Sequence, residues 1–432
     1  MNVLILGSGG REHAFAWKIS QSPLCSSLFI APGNAGTSEL GENLDIRVSD
    51  FESIRTAVLK YKIDFLLVGP EEPLVKGIRD FFESDPDLRN IPLLGPGSAG
   101  ALLEGSKDFA KAFMQRHSIP TASYKTFNRG DYESATAYLD EIPAPYVLKA
   151  DGLAAGKGVL ICATRDEAKT ELGKMMLESR FGNATNKVVI EAFLDGIELS
   201  VFVLTDGNTY MLLPEAKDYK RVYDEDQGLN TGGMGAVSPV PFADPSFMKK
   251  VEERIVIPTV NGLKKDKIPY CGFVFIGLMN VAGDPYVIEY NVRMGDPETE
   301  VVLPRIKSDL LELLSSCAQK KLSRANLEVD ERCALTVMLV SEGYPGDYSK
   351  GREIKIQEKL NDSLVFHAGT KKNQSGMTVS DGGRVIAVTS LASGIEEARE
   401  KTYQSISHIY FDGMHYRKDV GLDLLKDYAA KK

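Results

Sequence analysis

The chain is poor in the residues that build metal centres and disulfide frameworks: it has five cysteines and five histidines in 432 residues. Cys25, Cys162, Cys271, Cys317 and Cys333 form no CxxC pair, and the histidines are scattered, which excludes a zinc ribbon and a disulfide-stapled scaffold. The cysteines read as reduced core thiols, and a cytoplasmic location is expected. No apolar run approaches the length of a membrane span. The opening stretch MNVLILGSGG enters a strand at once, without the basic n-region or cleavage site of a secretory leader. Positive charge is in deficit, 51 Lys and Arg against 60 Asp and Glu, a net charge of −9. That balance argues against nucleic-acid and anionic-membrane partners, although a local basic cluster would suffice for a phosphorylated small substrate. Internal repeats and low-complexity linkers are lacking too, so the domains are expected to pack closely.

What is present reads as an α/β protein of several domains. Over residues 1–100, the short apolar runs VLILG, LFIAPG, DFLLVGP and IPLLGP alternate with helical stretches such as REHAFAWKIS and FESIRTAVLKY. This alternation predicts a parallel sheet of βα units. Ligands of such sheets sit at the carboxyl ends of the strands, where GSGGREH, APGNAG and VGPEEP stand, so one crevice could collect all three loops. GSAGALLEGSKDFAKAFMQRHSIP predicts one long helical segment leaving this unit. A compact piece follows over 121–190, then a strand-rich part over 191–325, then a small mixed α and β domain over 326–432.

Five motifs carry candidate chemistry. GSGGREH misses the dinucleotide fingerprint, because Glu12 stands where a third glycine is needed. What remains is a glycine-rich turn with Arg11 and His13 at a helix start, either an anion site or simply a tight turn. VLKADGLAAGKGVLI is no Walker A loop, since only three residues separate Gly152 from Gly156 and Gly158 follows Lys157. Its small residues fit a flap whose N–H groups and Lys157 fold over phosphates while Lys149 reaches in from the strand; the plainer alternative is a hairpin with solvated lysines. VIEAFLDGIELSVFV offers Glu191 and Phe193 on one strand face, with Leu194 and Glu198 beyond, for a base and ribose hydroxyls, or is an ordinary amphipathic hairpin. The run EAKDYKRVYDEDQGLNTGGMGAVSP reads as a solvated loop until NTGGMG, whose glycines point to close backbone approach and a loop that orders over substrate. In VIEYNVRMGDPETE, the strand period of two puts Glu289, Asn291 and Arg293 on one face. Oxygen ligands followed by a guanidinium suit a hard cation holding a phosphate, although a solvated strand end would look alike in isolation. Jointly, these segments describe a site that moves a phosphoryl group from ATP.

GSGGREHAFAWKI, APGNAGT, VGPEEPLVKGI, LEGSKDFAKAFM, KADGLAAGKGV, NTGGMGA, VIEYNVRMGDPE and FHAGT, in this order from residue 7 to about 370, closely resemble the phosphoribosylamine–glycine ligases, ATP-grasp enzymes of purine biosynthesis. The resemblance implies an N-terminal substrate domain (1–100), an ATP-grasp core split over 101–120 and 191–325, a B flap (121–190) and a C-terminal domain (326–432). It implies ligation of glycine to 5-phosphoribosylamine with consumption of ATP, by way of an acyl phosphate. It also implies Glu289 and Asn291 as ligands of Mg²⁺, with Mn²⁺ as an alternative. Lys107, Lys149, Glu191 and Glu198 match nucleotide positions, with Phe193 and Leu194 beside them and the Gly156–Gly158 loop, Lys157 included, over the phosphates. Gly9, Gly10, Arg11 and Gly233 fall with the phosphoribosyl and substrate loops, and Arg293 and Asp218 with the glycine or its acyl phosphate. A monomer is expected. The chain departs from the pattern at Lys217 and Tyr219, where many relatives have Gln and His, and at Met294 and Glu300, where Phe and Gln are usual. With His replaced by Tyr, no imidazole acid or base is assigned to that loop. Two other readings compete: another ATP-grasp carboxylate–amine ligase, and a non-catalytic ATP sensor, which would have no need of Glu289 and Asn291 beside Arg293.

Overall fold

The structure is a computed structural model that describes residues 1–153, 158–178, 182–357, 360 and 363–425. Its first hundred residues form the predicted βα sheet. Strands β1 (Asn2–Gly7), β2 (Ser27–Pro32), β3 (Glu42–Asn43), β4 (Phe65–Val68) and β5 (Leu93–Leu94) lie in the order β3-β2-β1-β4-β5. All four pairings are parallel. Val3, Leu4, Ile5 and Leu6 are wholly buried, as expected where helices cover both faces of a parallel sheet. Helices α1 (Gly10–Ile19), α2 (Phe51–Lys60), α3 (Glu71–Val75) and α4 (Ile78–Ser84) provide the connections. The chain leaves β1 for β2 on one side and β4 lies on the other, so the carboxyl end of β1 opens at the switch in strand order.

The single long helix expected after this sheet is two helices, α5 (Ser98–Gly105) and α6 (Lys107–Arg116). The break falls at Ser106, whose backbone is extended (φ −143°, ψ 116°). Its hydroxyl accepts from the Phe109 N–H at 3.1 Å and donates to Asp151 at 2.9 Å. A serine that caps one helix cannot also continue the preceding one, and Asp151 rewards the break.

Strands β6 (Tyr124–Asn128), β7 (Tyr146–Ala150), β8 (Val159–Cys162) and β9 (Lys187–Ala192) make an antiparallel sheet in the order β6-β9-β7-β8. With helices α7 (Tyr132–Glu141) and α8 (Arg165–Met176) it encloses a core of its own, which includes Phe127, Tyr146, Leu148, Leu172 and Ile190. The loop between β7 and β8 carries Gly156 and Lys157, which lie outside the described residues; Gly158 is seen accepting from the Ala150 N–H at 2.8 Å.

Two further large antiparallel sheets follow among the described residues. Strands β10 (Ile197–Thr205) and β11 (Tyr210–Leu212) join β16 (Gly272–Val281) and β17 (Asp284–Asn291) in the order β11-β10-β16-β17. Between them in sequence come β12 (Lys217–Asp218), the hairpin β13 (Arg221–Tyr223) and β14 (Gln227–Asn230), and β15 (Gly235–Ser238). The last sheet orders β12, β15, β18 (Cys333–Ser341), Arg384–Ala392 and Ser363–His367. One continuous apolar cluster contains Leu66 of the first sheet, Ile276 of the third and Val337 of the last, so these three pack as one body. All five cysteines are free thiols, and only Cys25 is not fully buried. Among the described residues, no helix is long and apolar enough to cross a membrane.

Candidate active site

The strand β17 ends at the centre of the molecule. It pairs antiparallel with β16, Gly277 opposite Glu289 and Phe275 opposite Asn291, with an irregularity where Leu278 pairs with Val287. Ile288 is thereby left out of the register, and its carbonyl turns to accept from Lys149 Nζ at 3.1 Å. Lys149, on β7 of the small sheet, thus touches the backbone next to Glu289. Lys149 also pairs with Glu191 Oε1 at 2.9 Å, and Lys111, a residue that the sequence reading did not single out, takes Oε2 at 2.9 Å. All three side chains of this triad are almost wholly buried. Burial pushes the Glu191 carboxyl up, but Lys149 and Lys111 outweigh it and hold it below its ordinary range. Burial lowers the Lys111 ammonium to about 8 despite Glu191. Lys111 further donates to Thr121 Oγ1 at 2.7 Å.

Two more lysines lie in the field of Glu289. Lys107, at the first turn of α6, has its pKa lowered chiefly by burial, with Glu289 opposing and Lys149 adding to the effect. Lys220 is held well above its ordinary range: Asp218, Glu198 and Glu289 overcome the cost of its burial. Its Nζ lies 3.0 Å from Asp218 Oδ1 and also binds Glu198. Phe193 and Leu194 follow the end of β9; Phe193 is exposed and Leu194 half-buried.

Arg293 lies past the end of β17. It donates to Asn291 Oδ1 at 3.2 Å and pairs with Glu104 Oε1 at 2.9 Å and Glu71 Oε2 at 3.4 Å. Glu104, from α5, also accepts from the Val292 N–H at 2.8 Å. Glu71 opens α3 in the VGPEEP loop, so this contact brings the third βα loop to the strand end. The other two loops meet through Asn34, whose Nδ2 donates to the carbonyls of Ser8 at 2.9 Å and His367 at 2.8 Å. All three therefore gather in one crevice, and FHAGT closes on them from the last sheet.

In the glycine-rich turn, Arg11 and His13 are both engaged by neighbouring groups. Glu12, the residue that spoiled the fingerprint, accepts from the Gly9 N–H at 2.6 Å and from Arg11 Nε at 2.6 Å. Arg11 Nη1 donates to the Met294 carbonyl at 3.1 Å, so this guanidinium braces the turn against the end of β17. His13 is not cationic: burial, with His367 adding to it, lowers its pKa to about 3, and Nδ1 accepts from the His367 N–H at 2.7 Å. Neither side chain is a free cation at this helix start, and the Gly9 N–H is itself taken by Glu12.

The NTGGMG loop reaches the same place. Gly233 has φ +122°, and a Cβ there would stand 2.3 Å from the Pro297 ring. Arg384 ties loop and strand end together, donating to the carbonyls of Gly232 at 2.8 Å and Asp296 at 2.6 Å and pairing with Asp296 Oδ1 at 3.1 Å. Behind this seam are two buried carboxyls. Glu298 accepts from Ser200 Oγ at 3.1 Å, and its pKa rises to about 7, through burial first and Asp218 second. Glu300 is wholly buried, and neither of its oxygens has a hydrogen-bond partner among the described residues. Burial, with Asp296 adding to it, holds its pKa well above the carboxylate range.

Of the predicted positions, Lys107, Lys149, Glu191, Glu198, Asp218, Glu289, Asn291 and Arg293 are thus drawn to the end of β17, and Gly9, Gly10, Arg11 and Gly233 to its continuation. Lys111, Glu104, Lys220, Glu298 and Arg384 belong to the same cluster, and only their charge at buried positions could have marked them. A carboxylate and an amide oxygen at one strand end make a sparse, hard donor set. No group of three or more His, Cys, Asp or Glu that could hold a metal occurs among the described residues. Two protein ligands suit Mg²⁺, which keeps waters and phosphate oxygens around it.

A small antiparallel flap over a larger antiparallel sheet, with lysines meeting a Glu and Asn pair between them, defines an ATP-grasp protein. The same fold is seen in the biotin carboxylase domain of the Hydrogenobacter thermophilus 2-oxoglutarate carboxylase (TM-score 0.72, 18% identity, 96% of this chain and 91% of that one). The chain belongs to the phosphoribosylglycinamide synthetase family: the N domain of that family matches residues 1–104, the ATP-grasp (A) domain 105–299 and the C domain 334–423. It is 45% identical to the phosphoribosylamine–glycine ligase of Escherichia coli K12 over 426 residues, 98% of each chain. It is 44% identical to that of Chlorobaculum tepidum, covering 98% of this chain and all of the other. It spans 55% of the length of a bifunctional purine biosynthetic protein of Pichia angusta, at 44% identity. The crystal structure of the Thermotoga maritima phosphoribosylamine–glycine ligase superposes with a TM-score of 0.85 at 35% identity, over 97% of this chain and all of that one.

Proposed function

We propose that the protein ligates glycine to 5-phosphoribosylamine, giving glycinamide ribonucleotide, ADP and phosphate by way of glycyl phosphate, as a cytoplasmic monomer. The observation that carries the reading is the gathering of Lys107, Lys149 and Lys220 about the Ile288–Glu289 stretch, at the junction of flap, core sheet and glycine-rich turn. Kinship with ligases of that name over the full chain supports the choice of substrates.

Glycine's carboxylate is a poor electrophile until it is phosphorylated, and that step asks the protein for positioning and charge rather than covalent chemistry. Glu289 and Asn291 would hold Mg²⁺, or Mn²⁺ in its place, and the ion when bound neutralises charge on the nucleotide phosphates. Lys149 and Lys107 bind phosphate oxygens, and the loop through Gly156, Lys157 and Gly158 covers them. Glu191 orients Lys149, Phe193 and Leu194 line the base, and Glu198 accepts from the ribose hydroxyls. Asp218 and Arg293 orient glycine and its acyl phosphate. Gly9, Gly10 and Arg11 lie where the phosphoribosyl end is received, and Gly233 brings its loop across to exclude water.

The test is ADP formation that requires glycine and freshly made 5-phosphoribosylamine together. Glu289→Gln should abolish most of it while leaving the circular dichroism spectrum intact. Near-normal turnover by that variant at ordinary Mg²⁺ would refute the metal assignment, and ADP formation indifferent to glycine would refute the reaction.

A further inference from the structure

Lys217 and Tyr219 flank Asp218, and the strand period of two sends them to the face opposite Asp218 and Lys220. Strand pairing extends through this stretch: Lys217 is opposite Val237 and Asp218 opposite Ala236, while the Tyr219 N–H donates to Gly235 at 3.0 Å. On the inner face, Asp218 and Lys220 pair at 3.0 Å beside Glu198 and Glu289. On the outer face, Lys217 and Tyr219, 8% and 3% exposed, meet one residue from the far end of the chain. Asp423 Oδ2 lies 2.8 Å from Lys217 Nζ, and Asp423 Oδ1 accepts from the Tyr219 hydroxyl at 2.6 Å, across 204 positions of sequence. The Gly421 N–H donates to the same hydroxyl at 3.0 Å. The Lys217 ammonium sits 3.8 Å from the centre of the Tyr219 ring, and the buried Arg417 guanidinium is 5.2 Å from it. Arg417 in turn pairs with Asp226 at 2.7 Å and donates to the Arg221 carbonyl at 3.2 Å. Residues 417–423 therefore grip the strand at both ends of the Asp218–Lys220 stretch.

We infer that Asp423 is a positioning residue: its carboxylate, shared between Lys217 and Tyr219, fixes the strand that presents Asp218 and Lys220 to the reacting groups. The inference rests on the proposed ligase reading, in which Asp218 orients glycine. Asp423 touches no reactant. Without it, a buried ammonium and a buried phenol lose a common acceptor, and the strand between them is free to shift by the few tenths of an ångström that orientation cannot tolerate.

The test measures steady-state kinetics of the full chain for Asp423→Ala, Asp423→Asn, Asp218→Asn and the Asp423→Asn/Asp218→Asn pair. Asp423→Ala is expected to raise KM for glycine and lower kcat, together costing about tenfold or more in kcat/KM for glycine, with KM for ATP nearly unchanged. Asp423→Asn, which keeps an acceptor for Tyr219, should recover part of that loss, and it should cost nothing further when Asp218 is already Asn. A purely structural role would lower Tm without this split between substrates. Wild-type kinetics for folded Asp423→Ala, or full additivity in the double variant, overturns the inference. If Asp423→Ala does not fold, Tyr219→Phe decides by the same criterion, because it removes one of the two bonds and keeps the ring. Unimpaired kcat/KM in Asp218→Asn overturns the underlying ligase geometry instead, and so separates the two failures.

Discussion

Glu300 offers the sharpest quantitative test of the electrostatics. Its carboxyl is wholly buried against the first turn of α1, with Oε1 2.3 Å from where a Cβ on Gly10 would be. Desolvation dominates, Asp296 adds to it, and Arg384 opposes without forming a bond, so the folded protein holds the proton well above the ordinary value of 4.5. The sign follows from proton counting. Above about pH 4.5 the unfolded chain releases this proton and the folded chain keeps it, so the folded state binds more protons and stability falls as pH rises. The contribution is fully present below 4.5 and is lost progressively as pH climbs toward the folded value. The slope is about 1.4 kcal/mol per pH unit for one proton. Glu300→Gln removes the titration and keeps the shape. The variant should gain on wild type as pH rises above the unfolded value, by up to about 1.4 kcal/mol for each pH unit below the folded value. If the whole chain unfolds together, 432 residues give an unfolding entropy of about 0.9 kcal/mol/K, so each such pH unit amounts to at most about 1.5 °C in Tm. Differential scanning calorimetry of both proteins at pH 5, 6 and 7 measures it, and taking the difference cancels every other titrating group. Parallel Tm curves across that range, or a variant less stable at pH 7 than at pH 5 relative to wild type, would show that Glu300 is ionised and paired in the folded protein.

The triad at the nucleotide end yields another expectation: Lys111→Met leaves Glu191 with Lys149 alone, and disrupting so buried an arrangement should cost about 3 kcal/mol by denaturant titration. It should also raise KM for ATP, with Lys149 drawn more tightly to Glu191; an unchanged KM with only lowered stability would mean that Lys111 is a packing residue. Gly233→Ala combines a positive φ with a clash against Pro297, so it should cost about 1–3 kcal/mol in backbone strain and displace the loop. Lower kcat with a normal far-ultraviolet spectrum is expected, and wild-type kcat would contradict the idea that this loop closes on the strand end.

Much of the architecture was legible in the chain because it depends on short-range periodicity. Apolar runs ending in Gly or Pro between amphipathic stretches can bury both faces of a parallel sheet in few other ways, and β1 to β5 follow that pattern. The single long helix expected in GSAGALLEGSKDFAKAFMQRHSIP is broken although Ser106 has helix-compatible neighbours on both sides; its bond to Asp151, 45 positions away, decides the break. At the site, the alternation along β17 already put Glu289 and Asn291 on one face. The meaning of Arg11 and His13 could not be read locally, because Glu12, Met294 and His367 consume their polar atoms.

Sequence by itself determined the α/β class, the order of the sheets' strands in the chain and the identity of the lysines, glycines and carboxylates at the strand ends, since backbone geometry dictates all of these within a few residues. Tertiary structure alone decided which charges meet. Lys111 with Glu191, Arg293 with Glu71 and Glu104, and Lys217 with Asp423 are pairs made between elements far apart in the chain. Charge acts through space over a few ångströms, and no period along the chain encodes which distant segments will be folded to within that reach.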